Sequence, residues 1–284
     1  MSKYNLSSMF DSIKEALTTQ DKKQGGNLQE ILQLKPGNTY TVRLLPNTKN
    51  PKQTLFHHFV HGWNSLATGK YISALSPMTF GERDPIAEER YKVLRTGTEE
   101  EKEKMKTIRR SEQWFVNVYV VDDPVTPANN GSVKILRYGK QLGNIISSAI
   151  SGDEAEEYGM RVFDLSKEGV NFKVKVEKQG DYPLYTSSRF TTVGRDLGLS
   201  ESQQEKILEA THDLENVLRL KSADELKQML DEHYYCKSDA KEESSSPLPE
   251  ADEAIAELSV KSKPVAAPSQ SVEDADIDEL LKDL

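Results

Sequence analysis

One stretch of the sequence combines cations and flat rings at close spacing. Residues 102–120 read KEKMKTIRRSEQWFVNVYV, in which lysines and arginines run into Trp114, Phe115 and Tyr119. Cationic side chains neutralise phosphates, and aromatic rings stack on bases. The stretch therefore favours contact with a nucleic acid. Trp114 and Phe115 are neighbours on a predicted strand, so one of the two is expected to face the core.

The same mixture recurs in two later segments, residues 135–141 (ILRYGKQ) and 172–190 (FKVKVEKQGDYPLYTSSRF). If the three segments converge on one face, they form a basic groove lined by rings. Taken singly, each also fits an ordinary solvated strand face. The candidate nucleic-acid-binding residues are Lys106, Arg109, Arg110, Trp114, Arg137, Tyr138, Lys140, Lys173, Lys175, Tyr182, Tyr185 and Arg189.

No catalytic motif accompanies these residues. The sequence contains no GxxxxGK[ST], GxSxG or HExxH motif, and no GxGxxG after a predicted strand. A two-metal nuclease would need clustered carboxylates, but the adjacent Asp122 and Asp123 precede Pro124 in a predicted turn. We therefore predict that the protein is not an enzyme and that it uses no cofactor.

Three histidines, His57, His58 and His61, require a separate test for metal binding. On a strand, His57 and His61 share one face and His58 points the other way. A zinc site needs about four ligands, usually cysteine and histidine, and no cysteine lies nearby. Structural or surface histidines are the favoured interpretation, and a metal site is the alternative.

Charge is distributed unevenly along the 284 residues. The chain holds 46 acidic and 37 basic residues, and residues 240–284 contain 12 of the acidic and 4 of the basic ones. The remainder therefore has 34 acidic and 33 basic residues and is almost neutral. Such asymmetry is typical of an acidic interaction tail. The single cysteine, Cys236, fits a reducing compartment, and the sequence shows neither a secretory signal nor an apolar run of membrane-spanning length.

The chain ends in DIDELLKDL, which is acidic but carries an apolar pattern. Ile277, Leu280, Leu281 and Leu284 follow the i, i+3, i+4, i+7 spacing of one helical face. Two interpretations fit: a docking peptide that becomes helical on a partner, or a solubilising tail. The predicted partner-binding residues are Asp276, Ile277, Asp278, Glu279, Leu280, Leu281 and Leu284.

Between the two ends of the chain the pattern is mainly one of strands. Strands are predicted at 38–46, 54–63, 69–75, 113–124, 131–139 and 169–180, and helices within 5–20, 98–106 and 140–150. Capping boxes at Ser200 with Gln203 and at Ser222 with Glu225 predict two more helices. We therefore predict a mainly β fold with α insertions (α+β), built on an OB-fold-like barrel with flanking helices. The predicted units are an N-terminal segment (1–27), the core (28–236) and a disordered acidic tail (237–284).

Several segments resemble the single-stranded-DNA-binding, helix-destabilising proteins of T-even-type bacteriophages. The segments are NTYTVRLLP, HGWNSLATGKYI, IRRSEQWFVNVYVVDDPVTPANNGSVKILRYGK, GVNFKVKVEKQGDYPLY and DIDELLKDL, in that order. The resemblance implies an OB-fold core that binds single strands without sequence preference. It also implies self-association along DNA through the N-terminal segment and contacts of the acidic tail with phage replication and recombination proteins.

The sequence departs from the pattern of that family at three places. The resemblance implies a zinc site of one histidine and three cysteines, but only His61 matches, and Ala74, Asp84 and Ala87 stand near the cysteine positions. The metal is therefore predicted to be lost. Gln113 and Leu136 replace expected tyrosines, and the N-terminal basic motif is weak, so that self-association would use Met9 and Phe10.

Together these observations predict a cooperative single-stranded-DNA-binding protein that acts in replication, recombination and repair in the host cytoplasm. The alternative is an interaction scaffold that recruits replication proteins through its tail without binding nucleic acid. DNA binding calls for Arg109, Arg110, Arg137, Lys140 and Arg189 on one face with Tyr182 or Tyr185, whereas scattered cations would favour the scaffold.

Overall fold

The computed structural model describes residues 28–180 and 182–237 of the chain. Within these residues, strands form where apolar and polar residues alternate. The N-terminal segment (1–27) and the tail beyond Lys237 lie outside the described residues, as do the helix predicted at 5–20 and the seven predicted partner-binding residues. The strands within the described part are β1 (Thr39–Leu45), β2 (Phe56–Asn64), β3 (Tyr71–Leu75), β4 (Arg109–Asp122), β5 (Val133–Tyr138), β6 (Phe172–Lys175), β7 (Glu177–Gln179), β8 (Tyr182–Leu184) and β9 (Arg189–Phe190).

Five α-helices connect or flank these strands within the described residues. They are α1 (Pro85–Thr96), α2 (Glu99–Met105), α3 (Lys140–Ser151), α4 (Glu201–Glu209) and α5 (Ala223–His233). Short 3₁₀ turns lie at Leu28–Glu30, Pro51–Gln53, Pro77–Phe80, Pro127–Asn129 and Gly159–Phe163. None of the helices described is long and apolar enough to cross a bilayer.

The longest strand, β4, organises the main sheet. Its strand order is β3-β2-β4-β1-β6-β9, with β5 also paired to β4, and β7 and β8 form a separate hairpin. Phe115 pairs with both β2 and β5, and Val118 pairs with both β1 and β5. Strands β2 and β1 therefore follow one another along one edge of β4, and β5 occupies the other edge.

The α+β class is as predicted, but the pairing of the described strands does not close into a barrel. The path from β3 to β9 is open at both ends within the described residues. The OB-fold therefore remains a prediction. The described residues form an antiparallel sheet flanked by helices.

Three clusters of buried side chains hold the described part together. The main core lies on the face of β1, β4 and β6 that carries Val42, Val118 and Val174, and helix α3 packs on it through Leu142 and Ile146. A second core surrounds Trp63, beneath helices α1 and α5. A third covers the opposite face of β4 and β5 around Phe115 and Ile135. Since β4 contributes to two of these clusters, side chains at its exposed beginning are positioned by packing on both faces.

Side chains at the N-termini of the helices explain where these helices begin. The predicted capping boxes are confirmed at Ser200 with Gln203 and at Ser222 with Glu225, and a third occurs at Thr98 with Glu101. Helix α1 was not predicted. It begins because Asp84 accepts hydrogen bonds from the N–H groups of Ile86 and Ala87, with Pro85 at the first helical position.

One cation is buried outright in the sheet. Arg43 on β1 donates to the side-chain oxygen of Asn171 at 2.7 and 3.0 Å, and to the main-chain oxygens of Asp164, Ser166 and Arg195 at 2.8–3.1 Å. Burial lowers the pKa of Arg43. Because its donors are used inside the fold, Arg43 is not available to an external anion.

Candidate nucleic-acid interface

Strand β4 sorts the residues of its basic and aromatic stretch onto two faces. Alternation puts Arg110, Glu112 and Trp114 on one face and their immediate neighbours on the other. Across the pairing with β2, His57 lies opposite Trp114, and Phe59 lies opposite Glu112. Directly paired residues share a face, so these five side chains lie together.

The aromatic rings on this face form a continuous stack. The ring centroids of Trp114 and His57 are 4.8 Å apart at an angle of 26°, and those of Trp114 and Tyr138 are 5.9 Å apart at 13°. Phe59 meets His57 edge-on at 4.7 Å. We call the surface formed by His57, Phe59, Arg110, Glu112, Trp114 and Tyr138 the ring face.

Exposure differs along the ring face. His57 is exposed and Phe59 and Trp114 are half-buried, whereas Tyr138 belongs to the main core. Burial raises the pKa of Tyr138. Tyr138 was predicted as a nucleic-acid contact, but its buried ring supports Trp114 from behind rather than offering a free surface. The rings open to a base are those of His57, Phe59 and Trp114.

Arg110 is the cation closest to these rings. Its guanidinium carbon lies 4.8 Å from the centroid of the Phe59 ring, and Nη1 lies 3.2 Å from the sulfur of Met78. Within the described residues it forms no ion pair with a carboxylate. Its charge is held at the edge of the stack by aromatic and sulfur contacts and is not neutralised there.

One end of the ring face is bordered by the start of helix α3. The Lys140 ammonium group lies 3.3 Å from Glu112, whose other oxygen is 2.8 Å from Nε2 of His57. The next residue, Gln141, accepts a hydrogen bond from the N–H of Tyr185 at 2.8 Å. The β7–β8 hairpin is thereby attached beside Lys140.

The two tyrosines of the hairpin region differ in accessibility. Tyr182 is 60% exposed on β8, while Tyr185 packs against the main core. Burial raises the pKa of Tyr185 and the nearby Arg137 partly offsets the shift. Tyr182 is therefore the ring of this segment that is open to a ligand.

Arg137 lies on the other face of the β4–β5 pair, opposite Phe115. It is half-buried and forms no hydrogen bond or ion pair with any residue that the structure describes. Burial lowers its pKa, and the phenol groups of Tyr185 and Tyr71 partly restore it. A half-buried guanidinium of this kind favours an incoming anion.

The basic residues of the third segment lie together, but away from the ring face. Lys173 pairs with Thr41 and with Arg189, so their side chains share the face opposite to the core-facing Val174. Lys175, on the same side, forms an ion pair with Glu177 at 2.7 Å. We call Lys173, Lys175 and Arg189 the outer patch.

The lysines of helix α2 are neutralised within the helix. Lys102, Lys104 and Lys106 lie 2.8, 2.8 and 2.6 Å from Glu99, Glu100 and Glu103. These pairs use the i, i+3 and i, i+4 neighbours of a helical surface. The predicted contact Lys106, which is the C-cap residue of α2, is therefore already paired with a glutamate of that helix.

The five cations that DNA binding was expected to need on one face do not share one face of the sheet, so this criterion taken alone favours the scaffold. Arg110 and Lys140 border the ring face. Arg109 is exposed at the start of β4 and by alternation points away from Arg110. Arg137 lies on that reverse side as well, and Arg189 is in the outer patch.

The sequence pattern does not indicate three residues that the structure places at the centre of the ring face: His57, Phe59 and Glu112. For His57, residue type alone indicates a metal ligand or a surface residue. Alternation within β2 could have put His57 and Phe59 on one face, but the register that brings this face against Trp114 is a tertiary feature.

The position implied for zinc holds a hydrogen-bonded group that does not match the ligand set of a zinc ion. Nε2 of His61 lies 2.7 Å from a carboxylate oxygen of Asp84, and the Ser76 hydroxyl donates to that same oxygen. Burial alone would raise the pKa of Asp84, but the hydrogen bonds from His61, Ser76 and the Ala87 N–H lower it. Tetrahedral zinc needs four donors, and the described residues contain no cluster of three or more acidic, histidine or cysteine side chains suited to a metal.

His58 and Trp63 are structural. His58 stacks on Phe115 at 4.2 Å and is fully buried, and burial lowers its pKa to about 4. Trp63 is 1% exposed in the second core.

Asp123 accepts hydrogen bonds from the N–H groups of Val125 and Thr126, so it organises a turn.

Comparison with known proteins gives two kinds of match. A family model described as gp32 DNA binding protein like matches residues 35–233. The single-stranded DNA-binding proteins of Enterobacteria phage T4 and Enterobacteria phage T2 are each 28% identical to this chain over 192 residues. That alignment covers 65% of this chain, and the chain spans about 62% of the length of these curated relatives.

Proposed function

The chain belongs to the family of gp32-like DNA-binding proteins, and from that premise we propose that it binds single-stranded DNA through the ring face. The observation that carries the proposal is the stack of His57 and Trp114 on adjacent strands, with Arg110 and Lys140 beside it. Exposed rings on a sheet accept unpaired bases, and cations at their edge attract the phosphates between those bases.

Binding of this kind carries no sequence code. Every base has a π-face, so stacking on Trp114 and His57 tolerates any base. Arg110 is held over Phe59, where it suits a phosphate or a ring rather than the edge of one particular base. We therefore propose non-specific binding, with affinity set by stacking and charge.

A fluorescence titration tests this function directly. Trp114 is half-buried on the ring face, whereas Trp63 is buried in the second core, so quenching by oligo-dT should come from Trp114. We expect quenching that weakens with salt, with log K falling by about 0.7 per phosphate contact for each unit of log salt concentration. The Trp114→Phe variant should bind with little change in fluorescence, since only Trp63 remains.

Two outcomes would contradict the proposal. Absence of binding to oligo-dT at low salt would favour the scaffold, in which the tail recruits partners and the folded part does not bind nucleic acid. Binding with a flat salt response would rule out a contact that rests on phosphates.

Assembly along the strand and recruitment of other proteins form the second part of the proposal, and both rest on segments outside the described residues. We propose that residues 1–27 support cooperative binding and that DIDELLKDL contacts phage replication and recombination proteins. Met9→Ser with Phe10→Ser should weaken binding to long strands more than to short ones. In the full chain, Asp276→Asn with Asp278→Asn should raise affinity for DNA if the tail also competes for the cations.

We further propose that the protein works without catalysis and without zinc, in replication, recombination and repair in the host cytoplasm. The His61–Asp84 hydrogen bond is suited to hold β2 to the start of helix α1 where a metal would otherwise do so. Treatment with EDTA should leave the melting temperature unchanged, and elemental analysis should find less than stoichiometric zinc. A drop in melting temperature with EDTA would contradict this part.

A further inference from the structure

The ring face contains one group that opposes the binding of a polyanion. Glu112 lies between Arg110 and Trp114 on the same face of β4 and directly opposite Phe59. Its two oxygens contact His57 at 2.8 Å and Lys140 at 3.3 Å. A carboxylate therefore occupies the space between two nitrogen donors, one on the exposed ring of His57 and one on Lys140 at the end of the ring face.

The contacts of Glu112 match those that a phosphate would make. Both groups are anions with oxygen acceptors, and both suit an imidazole N–H and an ammonium group. The partners come from different elements, His57 from β2 and Lys140 from helix α3, so neither pairing is a by-product of helical spacing. The pairs are also partly exposed, with Lys140 at 66% and Glu112 at 29%, and such pairs exchange readily because they are weak.

Resting on the proposed function, we propose that Glu112 is a built-in phosphate mimic that occupies His57 and Lys140 while no strand is bound. A strand that enters the ring face replaces the carboxylate at Lys140 with one of its phosphates. Glu112 thereby lowers affinity for single strands and keeps Lys140 in place between binding events. It is a positioning and tuning residue for the ring face.

The test compares two charge-matched variants of the full chain, Glu112→Gln and Glu100→Gln. Glutamine retains an oxygen that accepts a hydrogen bond from His57. Glu100 pairs with Lys104 on helix α2, at 2.8 Å and away from the rings, so its variant has the same net charge without a change at the ring face. Affinity for fluorescein-labelled oligo-dT is measured by anisotropy at several salt concentrations, and circular dichroism confirms folding.

We expect Glu112→Gln to bind about fivefold more tightly than wild type at low salt, because removing a like charge about 4 Å from a phosphate has that effect in water. Its log–log salt slope should match that of wild type, because Lys140 contacts the same phosphate of the bound strand in both proteins. Glu100→Gln should remain close to wild type in both quantities.

A double-mutant cycle with Lys140→Gln separates partner exchange from a general charge effect. Lys140→Gln should reduce affinity more in the Glu112→Gln background than in wild type, where Glu112 already neutralises the lysine. Equal losses in the two backgrounds would overturn the proposal. So would a Glu112→Gln affinity equal to that of Glu100→Gln, or weaker than wild type. If wild type itself does not bind, the proposed function fails; if wild type binds and the variants coincide, only the role of Glu112 fails.

Discussion

Helix α2 and the start of β4, which carries Arg110 of the ring face, are consecutive in the chain, yet their cations stand in opposite situations. Lys102 and Lys104 of α2 and Lys106 at its C-terminal cap each lie 2.6–2.8 Å from a glutamate of that helix. On the ring face, Arg110 contacts a ring and a sulfur instead of a carboxylate. Along the sequence, these cations form one basic cluster, but the structure divides the cluster at Ile108.

The difference arises from the geometry of the two elements. On a helix, residues three and four apart are neighbours, so the run TEEEKEKMK pairs its own charges. On a strand, neighbours in sequence point to opposite faces, and the contacts of each side chain come from other strands. A basic run therefore predicts a phosphate site far better on a strand than on a helix rich in glutamate.

The largest expected effect is on the stability of the sheet that carries the ring face, and it comes from the buried His58. Burial lowers the pKa of His58 from 6.5 to about 4 because the folded protein disfavours its charged form. The stabilisation from neutral His58 is therefore complete above pH 6.5 and is lost as the pH falls towards 4. The loss amounts to about 3 kcal/mol. Urea unfolding at pH 7 and pH 4.5 should show a shallower pH dependence in His58→Phe than in wild type. His57→Gln is the control, and an unchanged pH dependence in His58→Phe would contradict the prediction.

The second effect addresses the exposed surface of the ring face. Trp114→Ala removes the central ring and should weaken binding to oligo-dT about tenfold to a hundredfold, since base stacking contributes about 1–3 kcal/mol per base. Anisotropy titration measures the change. Trp114→Phe should retain most of the affinity. An alanine variant that binds like wild type would show that the interface lies elsewhere on the protein.

The third effect compares the ring face with the outer patch. Lys173→Gln with Arg189→Gln removes two cations from the opposite face of the sheet, so we expect about a twofold loss of affinity, since exposed charges beyond about 10 Å are largely screened. Arg110→Gln removes one cation and should cost more than the double variant. The reverse order, in the same titration, would place the path of the strand over the outer patch.

The smallest effect is expected in helix α2. Lys104→Gln with Lys106→Gln removes two cations that their own glutamates already neutralise, and affinity should change by less than about twofold. A loss above about fivefold in the anisotropy titration would show that these ion pairs open towards DNA, and the contrast between α2 and the ring face would then disappear.

Local patterns predicted much of the fold. Alternation predicted β1, β2, β5 and β6, and capping boxes predicted helices α4 and α5, because each signal lies within a few residues. Strand β4 begins at Arg109, four residues before its predicted start at Gln113, since pairing with β2 extends it. Helix α1 was missed because Asp84 and Pro85 fit a break as well as a helix start.

The candidate interface was predictable only in part. Trp114 and Arg110 were identified by residue type, but the roles of His57, Phe59 and Glu112 depend on the register of β2 against β4. The burial of Tyr138 depends on how helix α3 packs against β5. Register and packing depend on residues far apart in sequence, which a local pattern does not contain.

The buried guanidinium of Arg43 has a consequence for the order in which the chain acquires its structure. Its hydrogen-bond partners lie 121 to 152 residues further along the chain. Contacts between residues so far apart in sequence form late, and they make folding slow. During synthesis, the buried contacts of strand β1 therefore form only after the segment from Asp164 to Arg195 has been made. Replacing Asn171 by leucine removes such a late contact, so we expect it to speed unfolding, followed by tryptophan fluorescence, far more than it slows refolding. The sheet that carries the ring face is completed only when nearly all of the described chain has been made.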